Sequence, residues 1–448
     1  MKSNKIVIKN GNIIDPSSGI NEVGDVVIEN SYIIDVLPLS NETYSSDYKI
    51  INAKSMLVTP GFIDLHTHLR DPGQEWKETI NTGSRSAAKG GFTTITSMPN
   101  TIPVLDNVNI VSDLIDRSKS EGIVRILPIG SITVGQKGKN ISPMNELAEV
   151  GVIGFSDDGN PVSDPNIMKQ ALMYSKDLSL PIINHAEDKN IVGKGLMNEG
   201  VVSNRLGLFG ADPSGETIMI ARDLILAERA GAKLHIPHIS LSASLILLEI
   251  YKNMDVNVTA EVTPHHLTLN ENWVYGKKGE VPDYIDEDSY DTNAKVNPPL
   301  RTLDDAKDMV DGLAEGLIDI IATDHAPHSE LEKKCSFAEA AHGINVLETA
   351  FSSVFDLFLN KSISINRIIE SLTSKPAEIF NLHKIGKLQK GYFADVVIID
   401  PKAKWKVKED QFVSKSSNTP LLDLDMNGKI ICTISEGKII YKDNKFYV

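Results

Sequence analysis

Residues 60–73 read PGFIDLHTHLRDPG. A short apolar run ends abruptly in His66 and His68, one residue apart, with Arg70 close behind. If strand geometry persists to the end of the run, both imidazoles lie on one face. They then either grip one metal ion or simply form a polar strand end. The stretch is also the first of a series. Seven similar runs follow: TTITSM, RILPIGSI, VIGFSD, LPIINHAE, AKLHIPHIS, VNVTAEV and IDIIATDH. Between them, apolar residues recur at spacings of three and four, most clearly in PNIMKQALMYSKDL, GETIMIARDLILAERAG, SASLILLEIYKNM and LDDAKDMVDGLAEG. That spacing predicts amphipathic helices. Eight βα repeats predict an α/β fold closed into a (β/α)8 TIM-like barrel. An open doubly wound sheet would call for a Gly-rich phosphate loop after its first strand, and HTHLRDPG is not one.

The chain ends have a different rhythm. KIVIKNGNIID, GDVVIENSYIIDV and KIINAKSMLV near the start, and ADVVIID, KWKVK, KIICTISEG and KIIYK near the finish, are short strands punctuated by turn residues. They predict a small β-sandwich domain built from both chain ends, residues 1–56 and 385–448, flanking a barrel at 57–384. After the seventh run, residues 271–301 are acidic and turn-rich and predict a loop over the barrel mouth.

The 448-residue chain is 41% hydrophobic and 23% charged, an ordinary globular composition. Its net charge of −15 would repel a phosphate backbone or an anionic membrane surface, so neither nucleic acid nor membrane is expected as a partner. No signal-peptide pattern and no apolar run of about 18 residues is present, which leads to the expectation of a cytoplasmic protein. Two cysteines, Cys335 and Cys432, nearly a hundred residues apart, argue against a disulfide framework and a Cys-based zinc site. Any metal must be held by histidine and carboxylate.

Such residues stand at the other strand ends. Asp157 and Asp158 close the fourth run, His185 the fifth, His238 the sixth and Asp324 the eighth. Each has a plainer alternative: a turn carboxylate, a core imidazole or a helix N-cap. Their agreement on the face where barrel enzymes do chemistry favours the metal reading. Four histidines and two aspartates exceed the needs of one tetrahedral zinc and suggest two ions about 3.5–4 Å apart, bridged by a carboxylate and a hydroxide. Zinc suits these ligands, and manganese or cobalt could substitute. Of the eleven histidines, His235 should face away from His238 toward helices, His265 and His266 are structural or support the ligands, and His383 lies in a surface turn.

PGFIDLHTHLRDPG, SMPNT, FSDDG, VTPHHLTL, YDTNAKVNPPLR and ATDHAPH occur in this order. With them the chain resembles the dihydroorotases of the amidohydrolase superfamily, type I class, from its first β segment to GKLQKGYFADVVIID. The resemblance implies a first zinc on His66 and His68 and a second on His185 and His238. Asp158 and a hydroxide would bridge them, where many relatives use a carboxylated lysine. It further implies that Asp324 ligates the first zinc and shuttles the proton. Arg70, Asn100 and His328 would hold a substrate carboxylate, with His68 beside them, and Asn297 would contact the ring. The loop AAHGINVLETA would touch the ring through its backbone at His342 and Gly343, although Val346 stands where relatives have a second glycine. The guanidinium suits a carboxylate, with a salt bridge to Asp71 or Glu75 as the alternative for Arg70. The implied reaction is the reversible cyclisation of N-carbamoyl-L-aspartate to L-dihydroorotate in pyrimidine biosynthesis. The implied state is a homo-oligomer, associated in some relatives with aspartate carbamoyltransferase.

Overall fold

The computed structural model describes residues 4–39, 43–286 and 288–447. It opens on five strands, β1 (Lys5–Asp15), β2 (Ile20–Glu29), β3 (Tyr32–Pro38), β4 (Lys49–Asn52) and β5 (Leu57–Pro60). β1 and β2 form an antiparallel hairpin whose turn is held by Asp15, which accepts the Ser17 N–H at 3.0 Å. The register shifts between Ile8 and Gly11, where Asn10 adopts a positive φ of 62°. Asn tolerates that conformation better than a branched residue would.

All eight apolar runs contain a strand. They supply β6 (Phe62–Asp64), β7 (Phe92–Ser97), β8 (Arg125–Pro128), β9 (Phe155–Ser156) and β10 (Ile182–Ile183). After a short side ribbon of β11 (Met197–Asn198) and β12 (Gly210–Ala211) come β13 (Leu234–Ile236), β14 (Val258–Val262) and β15 (Ile320–Ile321). The ladders β6-β7-β8 and β9-β10-β13-β14-β15 are parallel throughout. Parallel bridges Gly130↔Phe155 and Thr67↔His325 join the two ladders at both edges, so the eight strands close into a barrel. The residues just beyond the strands are thereby gathered around one mouth.

Helices cover the barrel where the sequence predicts them, at Pro165–Leu178, Ser214–Ala230, Ser242–Asn253 and Leu303–Glu315. Side-chain caps set the starts of the first and the last. Asp164 caps the first, with proline at its first turn, and Thr302 caps the last by accepting the Asp305 N–H. Their inward faces bury residues such as Met168, Leu172, Leu224, Leu248 and Met309. Each such side chain contributes about 1.5–3 kcal/mol by leaving water.

The C-terminal strands are β16 (Val396–Lys406), β17 (Asp425–Ser435), β18 (Lys438–Lys442) and β19 (Lys445–Phe446). β5 unites the chain ends, pairing parallel with β1 and antiparallel with β16 in one nine-stranded sheet. Backbone pairing thus carries the sheet of the chain ends past residue 56 to Pro60. Ile6, Ile8, Val26 and Ile28 from one end share a core with Val396, Ile398, Cys432 and Ile434 from the other. Cys432 is buried and Cys335 exposed, both as free thiols. Among the described residues, no helix is long and apolar enough to cross a membrane.

Candidate metal centre

The strand ends converge as their order around the barrel requires. His66 and His68 follow β6, Asp158 follows β9, His185 β10, His238 β13 and Asp324 β15. His66, His68 and Asp158 form one buried group of potential ligand atoms, and Asp158, His185 and His238 form a second. Asp158 belongs to both. Its Oδ1 lies 3.6 Å from His66 Nε2, 3.4 Å from His185 Nδ1 and 3.5 Å from His238 Nε2, and its Oδ2 lies 3.4 Å from His68 Nε2. Asp324 joins the first side, with Oδ1 3.0 Å from His68 Nε2 and 3.5 Å from His66 Nε2.

Backbone and neighbouring side chains aim these groups. Arg70, His238 and Asp324 adopt positive φ values of 60°, 34° and 47°. Such strain costs on the order of 1–3 kcal/mol per residue and collects at functional sites. His68 Nδ1 donates to Asn100 Oδ1 at 2.9 Å, leaving Nε2 for the cluster. His66 Nδ1 donates to Glu261 Oε1 at 2.5 Å with the same result. Asp64 accepts from the His66 N–H (3.1 Å) and from both the N–H (3.0 Å) and the hydroxyl (2.5 Å) of Thr323, tying β6 to the loop that carries Asp324. Burial pushes the Asp64 carboxyl up to about 7 against these bonds.

The two aspartates of FSDDG divide their work. Asp157 accepts from the N–H groups of Ile132 (2.8 Å) and Thr133 (3.0 Å) and from the Thr133 hydroxyl, so it braces a loop while Asp158 faces the cluster. Burial works against ionisation of Asp158 and Asp324. The surrounding imidazoles, His66 foremost, outweigh it and hold both carboxyls well below the usual range. Burial likewise opposes charge on His185, but Asp158 and Glu187 push it up to about 9.

The donor set fits a divalent cation on the chain's own terms. His66 Nε2 and Asp158 Oδ1 are buried and have no hydrogen-bond partner among the described residues. Leaving such atoms unsatisfied costs about 1–3 kcal/mol each, and a cation among them removes that cost. Imidazole nitrogens with carboxylate oxygens are the ligands of zinc and its borderline neighbours.

Beside the cluster, Arg70 is buried, and its Nε donates to the Pro327 carbonyl at 3.2 Å. Its Nη2 lies 3.2 Å from His328 Nε2, whose proton is given to the His342 carbonyl at 2.8 Å. Neither Asp71 nor Glu75 pairs with it. Asp71 binds Arg117 at 2.6 Å and 3.1 Å, and Glu75 accepts the Gly73 N–H at 2.7 Å. Desolvation pushes the Arg70 guanidinium down to about 10, so it remains charged at neutral pH. Asn297 Nδ2 lies 3.2 Å from His185 Nε2 and 3.3 Å from Glu187 Oε1. The His342 side chain lines a cavity of about 240 Å3 with Asn297, Glu187 and Lys189. Gly343, at φ 146°, packs on Ala326, where a Cβ would approach the Ala326 carbonyl oxygen to 2.7 Å.

Other histidines sort by their bonds. His266 is held between the Thr263 hydroxyl (2.8 Å) and the Pro298 carbonyl (3.1 Å), which makes it structural. His265 is buried with neither ring nitrogen hydrogen-bonded among the described residues. His235 packs edge-on against Phe380, as its predicted outward orientation requires, yet it also hydrogen-bonds Glu261 at 3.0 Å. Glu261, Asp64 and Glu187 escaped the sequence reading. The available signal was a carboxylate inside or beside a buried apolar run, which is uncommon unless the group is paired.

Comparison with known proteins decides the family. Residues 55–244 match the family model described as Dihydro-orotase-like. A dihydroorotase of Aquifex aeolicus (strain VF5) is 43% identical over 439 residues, covering 98% of this chain and 100% of the relative. The chain belongs to the dihydroorotase family. A dihydroorotase of Geobacter metallireducens is also 43% identical, over 98% of this chain and 99% of its own length. Membership makes this an enzyme of the cyclic-amide hydrolases. Among solved structures, the L-hydantoinase (dihydropyrimidinase) from Arthrobacter aurescens superposes with a TM-score of 0.86 at 21% identity, over 99% of this chain and 97% of its own. A dihydropyrimidinase from Brevibacillus agri follows at 0.83 and 20%, over 99% and 96%. These likenesses show the fold of this chain, a barrel with an attached β-sandwich.

Proposed function

We propose that the enzyme catalyses the reversible cyclisation of N-carbamoyl-L-aspartate to L-dihydroorotate in de novo pyrimidine (UMP) biosynthesis, with two zinc ions per chain. His66, His68 and Asp324 would hold one ion and His185 and His238 the other, with Asp158 between them. Zinc bound there would supply a polarising Lewis acid and a water acidic enough to lose a proton at neutral pH.

The chain's own groups do the rest. Arg70 binds the substrate carboxylate, with Asn100 and His328 beside it, and so orients the ring over the cluster. Asn297 and the backbone at His342 and Gly343 line the ring's other side. In the hydrolytic direction, the Asp324 carboxylate takes the proton of the attacking water and returns it to the ring nitrogen as the C–N bond breaks. Ring opening yields a second carboxylate and releases a proton, so low pH favours closure. The proposal includes a chain divided at 1–56, 57–384 and 385–448, and a cytoplasmic homo-oligomer. Light scattering checks the oligomer, and co-elution checks association with aspartate carbamoyltransferase.

The observation that carries the substrate assignment is Arg70: a buried, charged guanidinium with no carboxylate partner among the described residues, beside the cluster. A hydantoin or dihydropyrimidine without a carboxylate would leave that charge unanswered. The test compares L-dihydroorotate with 5,6-dihydrouracil, which lacks the carboxylate, in the wild type and Arg70→Ala. The wild type should strongly prefer dihydroorotate, and the variant should lose that preference. A variant with an unchanged KM for dihydroorotate would refute the assignment.

A further inference from the structure

Glu261 sits within β14, a strand otherwise filled by apolar and small side chains, and is 1% exposed. Its partners lie on three other parts of the barrel wall. Oε1 accepts the Nδ1–H of His66 at 2.5 Å, beyond β6, and the backbone N–H of His238 at 3.4 Å, beyond β13. Oε2 accepts the Nε2–H of His235, inside β13, at 3.0 Å. The His235 ring is fixed in turn. Its Nδ1 accepts the Thr259 hydroxyl at 2.8 Å, and its edge packs on Phe380. One carboxylate therefore touches a histidine from each ligand group, while the chain His235–Glu261–His66 runs from the outer wall of the barrel to the cluster.

We infer that Glu261, braced by His235, is a positioning residue of the metal centre: it fixes the His66 tautomer with Nε2 free, orients His238 through its backbone, and couples the two ligand groups. The inference rests on the proposed reading that these groups hold metal. Two points support it. His66 Nε2 is left without a hydrogen-bond partner, as a ligand atom must be. A carboxylate behind a ligating imidazole fixes its orientation and raises its basicity. A purely structural carboxylate needs none of these alignments, since an apolar side chain of that volume would fill the strand at lower cost.

The experiment uses the full chain, stripped of metal with a chelator and titrated with Zn2+ against a chromophoric competitor. Glu261→Gln keeps the shape and removes the charge, Glu261→Ala removes both, and His235→Phe removes only the brace. The first two should weaken zinc binding by about 10- to 100-fold, and His235→Phe by less in the same direction. Thermal midpoints of the metal-free proteins separate this from a general loss of stability. A lowered midpoint with zinc affinity within about twofold of wild type would overturn the inference. If Glu261→Ala does not fold, Glu261→Gln decides on the same criterion. A wild type that binds no zinc would instead bring down the metal reading, and this inference with it.

Discussion

Arg70 shows how much one side chain's partners determine. It sits beside Asp71 and near Glu75 in sequence, and either would neutralise it at little cost. Yet Asp71 turns to Arg117, 46 residues away, and Glu75 folds back on the loop backbone. The guanidinium is left charged in a buried place, where truncating one partner of a charged pair costs about 2–5 kcal/mol. Arg70→Ala should therefore raise the KM for dihydroorotate by on the order of 30- to 5000-fold with a smaller effect on kcat, as steady-state kinetics would show. Arg70→Lys should recover only part of the loss, because an ammonium lacks the planar two-pronged grip. The same scale sets the pH response of metal binding. Asp158 and Glu187 push His185 up to about 9, so the metal-free site carries a proton that an incoming cation must displace. Zinc affinity should thus fall as pH drops from about 9 toward 6, with proton release on binding near pH 7. Calorimetry in buffers of different ionisation enthalpy measures that release, and pH-independent affinity over this range would contradict the assignment of His185 as a ligand.

At the scale of elements, the strands were legible because most of the apolar runs are buried on both faces and stop where polar side chains meet the mouth. Their lengths were not legible. LPIINHAE contributes only Ile182–Ile183 to the ladder, because beyond them the backbone turns into the loop that presents His185. Candidate ligands were legible for the same reason as the strands, by falling at the ends of runs. Glu261 was not, since alternation in VNVTAEV reads it as an ordinary outward polar position, whereas its carboxylate is buried between His66 and His235. Nor did the sequence reveal what holds the loop of His342 and Gly343. Two buried lysine side chains do so. Lys333 Nζ donates to the carbonyls of Thr292 (2.9 Å), Lys295 (3.3 Å) and Ala341 (2.7 Å), and Lys295 Nζ to those of Phe337 (2.7 Å), Ala338 (3.1 Å) and Ala340 (2.8 Å). Lys333→Met would take the donor from the Ala341 carbonyl, while those of Thr292 and Lys295 keep the backbone N–H groups of Lys295 and Gly343, and the one left unsatisfied costs about 1–3 kcal/mol. It should lower the thermal midpoint and raise the KM together. Gly343→Ala should cost about 1–3 kcal/mol in stability, because an alanine at φ 146° is strained and its Cβ meets Ala326.

At the scale of the whole molecule, β5 makes the sheet of the chain ends continuous immediately before β6, ending at Pro60 six residues upstream of His66. Metal bound at the candidate centre would then stabilise the fold that assembles its ligands from five strand ends. Chelation should lower the thermal midpoint, and added zinc should restore it in a concentration-dependent way, worth about 4 kcal/mol at a thousandfold excess over Kd. Scanning calorimetry across a zinc series would check this. The central claim, that these strand ends form a metal centre whose Asp324 moves the proton in dihydroorotate turnover, has one direct test: L-dihydroorotate hydrolysis by the wild type and Asp324→Asn, with bound metal measured on both. The wild type should turn over with zinc bound, and the variant should lose about 10²- to 10⁴-fold in kcat while keeping zinc at Asp158, His185 and His238. Equal rates in the two proteins, or a zinc-loaded wild type that does not turn over dihydroorotate, would contradict the account.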